Sequence, residues 1–570
     1  MEVYDVVIIG AGHNALVCAA YLLKAGYKVL LLEKQPIPGG GSTTEESLKE
    51  AAPGFKFNPC AIDHIFIHLG PVVQELELNK YGLEYLFYDP TVFCPHPDGK
   101  YFLAYRSVEQ TCAEIARYSP RDARKYAEFI DFWQRVLGML IPMFNAPPKS
   151  LINISGNFDA AKLKDMFSLM GPPDKILDLV RTMFTSPMDL LNEYFDEEFV
   201  KAPLARQASE LSLPPSQKTG AVGSIMMAMR HNPGVARPRG GTGALTQALV
   251  RLVMSLGGVI LTEQQVKQVL VDNNRAVGVR LANGKEYRAK CGVISSIDAK
   301  RLFLQLIDER DVDRADTELR DTADATLRER ISRRIVNHNE SILKIDCALS
   351  ELPRFVYHDH KDEYLTGAIL IADSVDHVEL AHTDPDIGRI PEDPSMFAVV
   401  PTVVDPTMAP EGKHTLWIEF FAPYQIKGAE GTGLKGTGWT DELKHKVADK
   451  VLDKLADYAP NLKNSIIARH VESPAELAER LGFLKGNYYH LDMTLDQMMF
   501  FRPLPELANY KTPIENLFLT GAGTHPGGSI SGMPGRNCAR VFLQNQRSIV
   551  QTLADAGNAL KSTAKSVFGT

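Results

Sequence analysis

Cysteine is sparse in this chain and never paired: the seven residues Cys18, Cys60, Cys94, Cys112, Cys291, Cys347 and Cys538 are scattered through 570 positions with no CxxC among them. An odd, dispersed set argues against a disulfide-stapled scaffold, and the lack of a close pair excludes a redox dithiol. Nor is there an apolar run of the ~18 residues that a spanning helix requires. The opening Met1-Glu2-Val3-Tyr4-Asp5 lacks the basic region and apolar run of a secretory leader, so a cytoplasmic chain is expected. Positive charge is not in excess either. With 62 Lys and Arg against 70 Asp and Glu, the net charge of -8 leaves no electrostatic footprint for nucleic acid. Internal repeats and low-complexity tracts are also missing.

What is present is ordinary globular material, 45% hydrophobic and 23% charged. At this length one core does not suffice, so at least two domains are expected. Asp5 to Ile9 is a short apolar run rich in β-branched residues; a Gly-Ala-Gly turn, a helical pattern from Asn14 to Lys24 and a second apolar strand, Val29 to Leu32, follow it. From about Pro71 to Asn232 amphipathic helical spacing dominates. Strands return around Val259 to Leu261 and Val266 to Val271, and Asn283-Gly284 turns a hairpin between Ala276 to Leu281 and Glu286 to Ile294. Ser341 to Leu507 mixes strands (Ile342 to Ala348, Thr415 to Phe421) with a helix from Asp441 to Tyr458. A last strand, Leu517 to Thr520, leads through a Gly-rich loop into a helix.

The first turn carries chemistry. In Gly10-Ala11-Gly12-His13-Asn14-Ala15, Gly10 permits the tight turn, Gly12 lets the backbone approach a pyrophosphate, and Ala15 allows close helix-to-strand packing. The helix N-terminus offers amide donors and a partial positive charge to the diphosphate. Glu33 closes the second strand, where a carboxylate accepts from ribose hydroxyls. A lone glycine fingerprint is weak; its conjunction with Glu33 is strong.

The continuation Glu33-Lys34-Gln35-Pro36-Ile37-Pro38-Gly39-Gly40-Gly41-Ser42 resembles the second glycine signature of the family containing amine oxidases and phytoene desaturases, which bind FAD. The resemblance implies that Gly39, Gly40 and Gly41 pass close to the diphosphate. Gly240 to Leu245, Gly257-Gly258 and the strand opening at Val266 resemble the segment that meets the adenine. Asn516 to Gly528 resembles the closing FAD motif, which implies that Gly521, Ala522 and Gly523 lie at the isoalloxazine ring. A helix starting near Gly532 to Arg536 then puts the Met533 amide at its pyrimidine edge.

Further runs narrow the likeness: Gly12-His13-Asn14, Asn58-Pro59-Cys60-Ala61-Ile62-Asp63-His64, Tyr118-Ser119-Pro120-Arg121-Asp122-Ala123 and Gly527 to Asn537 resemble the O-type β-carotene ketolases of the phytoene-desaturase-like group, over nearly the whole chain. Ala15 departs from the glycine, and Gly41-Ser42 from the Ala-Ala, of many members; both substitutes are small. The likeness implies an α/β fold in which 1–70, 235–310 and 508–570 form a discontinuous Rossmann-like FAD-binding domain. Residues 71–234 and 311–507 would then form an inserted α+β substrate domain with a helical, membrane-facing part. It implies FAD as cofactor, no metal, and a carotenoid substrate ketolated to echinenone and canthaxanthin; because ring carbon 4 is allylic to the polyene, hydride loss to oxidised flavin, capture of the cation by water and a second oxidation are the expected route to the ketone. A membrane quinone or dioxygen would reoxidise the flavin, since no second nucleotide fingerprint follows Glu33. A carotenoid desaturase or cis-trans isomerase fits the same frame, and a prenyl-lipid escort protein of the GDP-dissociation-inhibitor type is the non-enzyme alternative.

Asp63, His64 and His525 are the polar residues nearest the flavin by position in the motifs, as catalytic groups or as hydrogen-bonded structural ones. A membrane-dissolved substrate implies a chain held peripherally at the plasma or thylakoid membrane. Val136-Leu137-Gly138-Met139-Leu140-Ile141-Pro142-Met143-Phe144 is the candidate mouth, with buried helix packing as the competing reading.

Overall fold

The computed structural model describes residues 2–148, 173–317, 325–356 and 361–548; the parts of the expected domain ranges that fall elsewhere lie outside the described residues. The strands, in chain order, are β1 (Glu2–Ile9), β2 (Val29–Leu32), β3 (Tyr85–Phe87), β4 (Val92–Pro95), β5 (Tyr101–Ala104), β6 (Ala236–Pro238), β7 (Val259–Leu261) and β8 (Val266–Asp272). They continue with β9 (Arg275–Leu281), β10 (Glu286–Ser295), β11 (Glu340–Leu349), β12 (Ala368–Ile371), β13 (Met396–Val399), β14 (His414–Pro423), β15 (Ile466–Glu472) and β16 (Leu517–Leu519). The helices that matter below are α1 (His13–Lys24), α2 (Pro120–Phe144), α3 (Pro173–Phe184), α4 (Glu198–Ala208) and α5 (Gly243–Ser255).

The first sheet runs β7-β2-β1-β10-β9-β8, with β16 beside β10. Its β7-β2-β1-β10-β16 part is parallel, and β10, β9 and β8 add an antiparallel ribbon. The continuous apolar runs of β1 and β2 have their physical reason here. Val6, Ile8, Val29 and Leu31 face one core with α1, α5 and the final helix (residues 533–548), while Val7, Ile9, Leu30 and Leu32 face another. The final helix lies backbone against backbone on α1: a Cβ at Gly535 would sit 2.1 Å from the Asn14 carbonyl oxygen.

A second seven-stranded sheet runs β15-β11-β14-β13-β12-β4-β5, and β3 pairs with β6 in a short ribbon. The result is an α/β protein, a Rossmann-like domain joined to a mixed-sheet substrate domain. Reading 71–232 as largely helical misses β3, β4 and β5. β4 and β5 form a hairpin buried on both faces, so they show none of the alternation that marks a strand, and β4 finds its parallel partner β12 far along the chain.

The candidate mouth at residues 136–144 needs correction. It is the last third of α2, and Val136, Leu137, Met139 and Phe144 are buried in the core shared with Phe129, Trp133 and Leu191. Buried packing describes these four, while Leu140, Ile141 and Met143 are half-buried and Gly138 and Pro142 exposed. No helix among the described residues is long and apolar enough to cross a membrane.

Candidate functional site

The turn after β1 is built by hydrogen bonds that the sequence order dictates. Gly10, at φ +89°, donates its N–H to the Leu32 carbonyl and brings β1 and β2 to a common end. Gly12 precedes α1 with φ -67° and no side-chain cap, so the first amides of the helix stay free for an anion. A Cβ placed on Gly12 meets nothing within 4 Å. Opposite it, Gly39 forms a bridge with Gly12, and a Cβ on Gly40 (φ +62°) would come within 3.3 Å of the Gly12 Cα. The two glycine loops thus leave a backbone-walled groove. Buried polar atoms along it have no partner in the protein, His13 Nε2 and Asn14 Oδ1 among them, and this donor-and-acceptor set fits a dinucleotide.

Glu33 is buried at the end of β2, where its carboxylate accepts from the Ala11 N–H at 2.8 Å and the Gln35 N–H at 2.9 Å. It therefore shapes the glycine turn, and its remaining lone pairs could accept from ribose hydroxyls. Glu33→Ala is expected to weaken FAD retention by roughly 1.5 to 3 kcal/mol. The flavin-to-protein absorbance ratio after gel filtration checks this; an unchanged ratio refutes the assignment.

A cavity of about 580 Å³ opens from this groove. Gly10, Gly12, Glu33, Gly39, Gly40, Gly41, Val266, Gly521 and Ala522 line it; Ala15, Gly523 and Met533 do not. Ala15 is fully buried in the α1 packing, and Met533 begins the final helix against Gly70. Of the three candidate catalytic residues, only Asp63 reaches the cavity. Burial alone would raise its carboxyl, but Arg237, whose Nε lies 2.9 Å away, and Arg230 at 3.5 Å outweigh this and hold it below the usual carboxylate value. His64 is wholly buried between the Tyr85 hydroxyl (2.9 Å) and Thr242 Oγ1 (3.2 Å), and His525 donates from Nε2 to the Met143 carbonyl (2.9 Å). Burial pushes His64 down to about 3 and His525 to about 4, leaving both neutral. Neither lines the cavity, and the hydrogen bonds of both fit the structural one of the two roles expected for them.

Other residues line it that local patterns did not single out. His490 is held at φ +69° with a buried, unpartnered Nδ1, and burial pushes it down to about 3. Tyr489 donates its hydroxyl to the Glu210 carbonyl at 2.7 Å. Beyond them stand Met226, Arg230, Phe397, Trp417 and Glu419. One signal was available, since Glu419 is a lone acid inside Leu416-Trp417-Ile418-Glu419-Phe420-Phe421. Cys60 also lines the cavity; burial pushes its thiol up to about 12, and no second cysteine joins it.

The tie beneath this site is Arg502. Wholly buried, it donates to five carbonyls: Ala522 (3.0 Å), Asp492 (3.0 Å), Gln497 (2.9 Å), Tyr489 (2.6 Å) and Leu491 (3.2 Å).

Residues 16–311 match the family model described as flavin containing amine oxidoreductase. The mouse protein named pyridine nucleotide-disulfide oxidoreductase domain-containing protein 2 is 29% identical over 578 residues, covering 96% of this chain and 94% of that one. The phytoene desaturase (lycopene-forming) of Pantoea ananas is 25% identical over 540 residues, covering 94% and 98%. Among solved structures, an oxidoreductase from Methanosarcina mazei superposes with a TM-score of 0.57 at 17% identity, covering 95% of this chain and all of that one, and shares the fold. The match spans more than half the chain and includes most of α1, all of α5 and the β8–β10 ribbon. The cofactor is FAD, the groove between Gly12 and Gly40 has backbone walls that fit it, and the chain belongs to the flavin containing amine oxidoreductase family.

Proposed function

We propose that the protein oxidises a carotenoid, with 4-ketolation of a β-carotene ring, to echinenone and canthaxanthin, as its specific reaction. The observation that carries this reading is the wall of the cavity beyond the glycine loops, where Ile62, Ile65, Phe66, Met226, Phe397 and Trp417 make a surface fit for an apolar polyene. The likeness to a lycopene-forming phytoene desaturase supports an isoprenoid substrate. When bound, the flavin supplies hydride acceptance. The chain holds the polyene against it, and the buried, neutral imidazoles of His13 and His490 keep free charge out of that contact. The family match favours an oxidoreductase over a prenyl-lipid escort. Desaturation is the second reading, favoured by the Pantoea relative.

Pigment analysis separates the two. A β-carotene-producing host expressing the chain is expected to accumulate 4-keto products, carrying oxygen from labelled water. Label from dioxygen would overturn the water-capture route. Conversion of phytoene in a second host, with β-carotene untouched, would establish the desaturase.

Such a substrate calls for contact with a bilayer, and we place that contact on α3. Leu177, Val180 and Phe184 follow helical spacing, and they are 71%, 45% and 67% exposed. Electron transfer to a membrane quinone would use the same surface; dioxygen needs none. Leu177→Asp with Phe184→Asp is expected to reduce liposome binding about tenfold or more while leaving solubility and flavin content intact. Leu137→Asp with Phe144→Asp, in the core, should instead give insoluble protein. A soluble α3 variant that still floats with liposomes would remove this helix from the reading.

A further inference from the structure

The wall of the cavity is not apolar throughout. Glu419 points from β14 on the same face as Trp417 and Phe421, and its ladder partners are Phe397 on β13 and Lys344 on β11. It is 7% exposed and lines the cavity, and among the described residues no hydrogen bond reaches its carboxyl. Behind it stands Arg206 of α4, wholly buried, which donates through Nη1 to Glu210, another residue of the cavity wall, and stacks 4.7 Å from the Phe421 ring. Arg206 Nη2 lies 3.7 Å from the Glu419 carboxyl, and neither Nε nor Nη2 has a hydrogen-bond partner. Lys344 is occupied by Asp346, and Asp63 across the cavity by Arg230 and Arg237. A bare hydrocarbon would leave the Glu419 carboxyl and the Nε and Nη2 donors of Arg206 unsatisfied, at a cost that buried polar groups rarely carry.

We infer that Glu419, with Glu210 and Arg206 behind it, forms an end pocket for an oxygen-bearing terminus, so that the preferred substrate is a polyene with a hydroxyl or ketone on its ring. The inference rests on the carotenoid reading above and narrows it. Burial, then the Glu210 carboxylate, push the Glu419 carboxyl up to about 8, so near neutral pH it offers one donor and one acceptor, which suits a hydroxyl or a ketone oxygen. An ammonium group has no acceptor and would face the uncompensated side of Arg206.

The test uses four short probes sharing a trimethylcyclohexene ring and polyene tail: the hydrocarbon, its 4-alcohol, its 4-ketone and its 4-amine. Each is titrated against the flavin-loaded protein, with the flavin difference spectrum and tryptophan fluorescence read at equilibrium without turnover. The alcohol and ketone are expected to bind at least about tenfold tighter than the hydrocarbon. Glu419→Leu should reduce that preference to within about twofold while keeping hydrocarbon affinity, and Glu419→Gln should keep most of it. If Glu419→Leu loses flavin, Glu419→Met is read on the same arms. Equal affinities in the unmodified protein, or a preference that survives Glu419→Leu, overturn the end pocket but leave the carotenoid reading standing. The amine binding tightest overturns it in favour of a cation site. No binding by any probe overturns both.

Discussion

Arg502→Leu is expected to yield protein that is insoluble or free of flavin. The guanidinium spends its donors on five carbonyls from the 489–497 segment and the closing glycine loop, so its removal leaves all five buried acceptors without partners. Each such acceptor costs on the order of 1–3 kcal/mol, and even with partial relaxation the total exceeds ~4 kcal/mol, a large share of what holds a domain folded. Arg502→Lys keeps the charge but not the planar fork and should fall between the two. Denaturant unfolding with flavin fluorescence as a second probe reads the effect. A soluble, flavin-loaded Arg502→Leu protein with an unchanged midpoint would show that the carbonyls find water instead.

Gly12→Val should do something quite different. Gly12 has an ordinary β-region backbone, and its Cβ would enter open space, so valine strains neither chain nor packing. The proposed FAD site puts the pyrophosphate in that space. Folded, colourless protein is expected, with a circular dichroism spectrum like that of flavin-stripped wild type and FAD affinity reduced at least about 100-fold, roughly 3 kcal/mol. Stoichiometric flavin in Gly12→Val would remove the first glycine turn from the cofactor site. Gly535 supplies the contrast: its Cβ would strike the Asn14 carbonyl at 2.1 Å, so Gly535→Val should lose fold and flavin together.

The difference between these glycines also explains what was legible in the chain. A phosphate turn is local: strand, Gly10, Gly12, helix and Glu33 all fall within the first 33 residues, and one backbone hydrogen bond from Gly10 to Leu32 closes them. The β9–β10 hairpin is local in the same way, announced by Asn283-Gly284. Arg502 is not, because its acceptors come from two segments that no spacing rule connects. The β4–β5 hairpin carries no alternation and pairs with a strand from the other half of the protein. His64 and His525 stood in conspicuous motifs, yet the fold turns both away from the cavity and brings in Glu419, His490 and Tyr489 from elsewhere. Proximity in sequence located the glycine turn and Glu33 well and the polar lining of the cavity poorly, since the first depends on a turn and the second on the packing of two sheets.

The parallel sheet has a consequence for how the protein is made. β10 receives β1 on one side early in synthesis, but its other edge, Val293 to Ser295, waits for β16 at Leu517–Leu519. At roughly 5–20 residues per second, that edge of a growing chain stays open for on the order of ten to forty seconds. During that interval an apolar strand edge is available to any extended segment nearby. The final helix, which closes over α1, comes later still. Flavin capture is thus expected only once β16 has been made, and a ribosome halted before it would hold a polypeptide that a chaperone must shield rather than one that a cofactor can rescue.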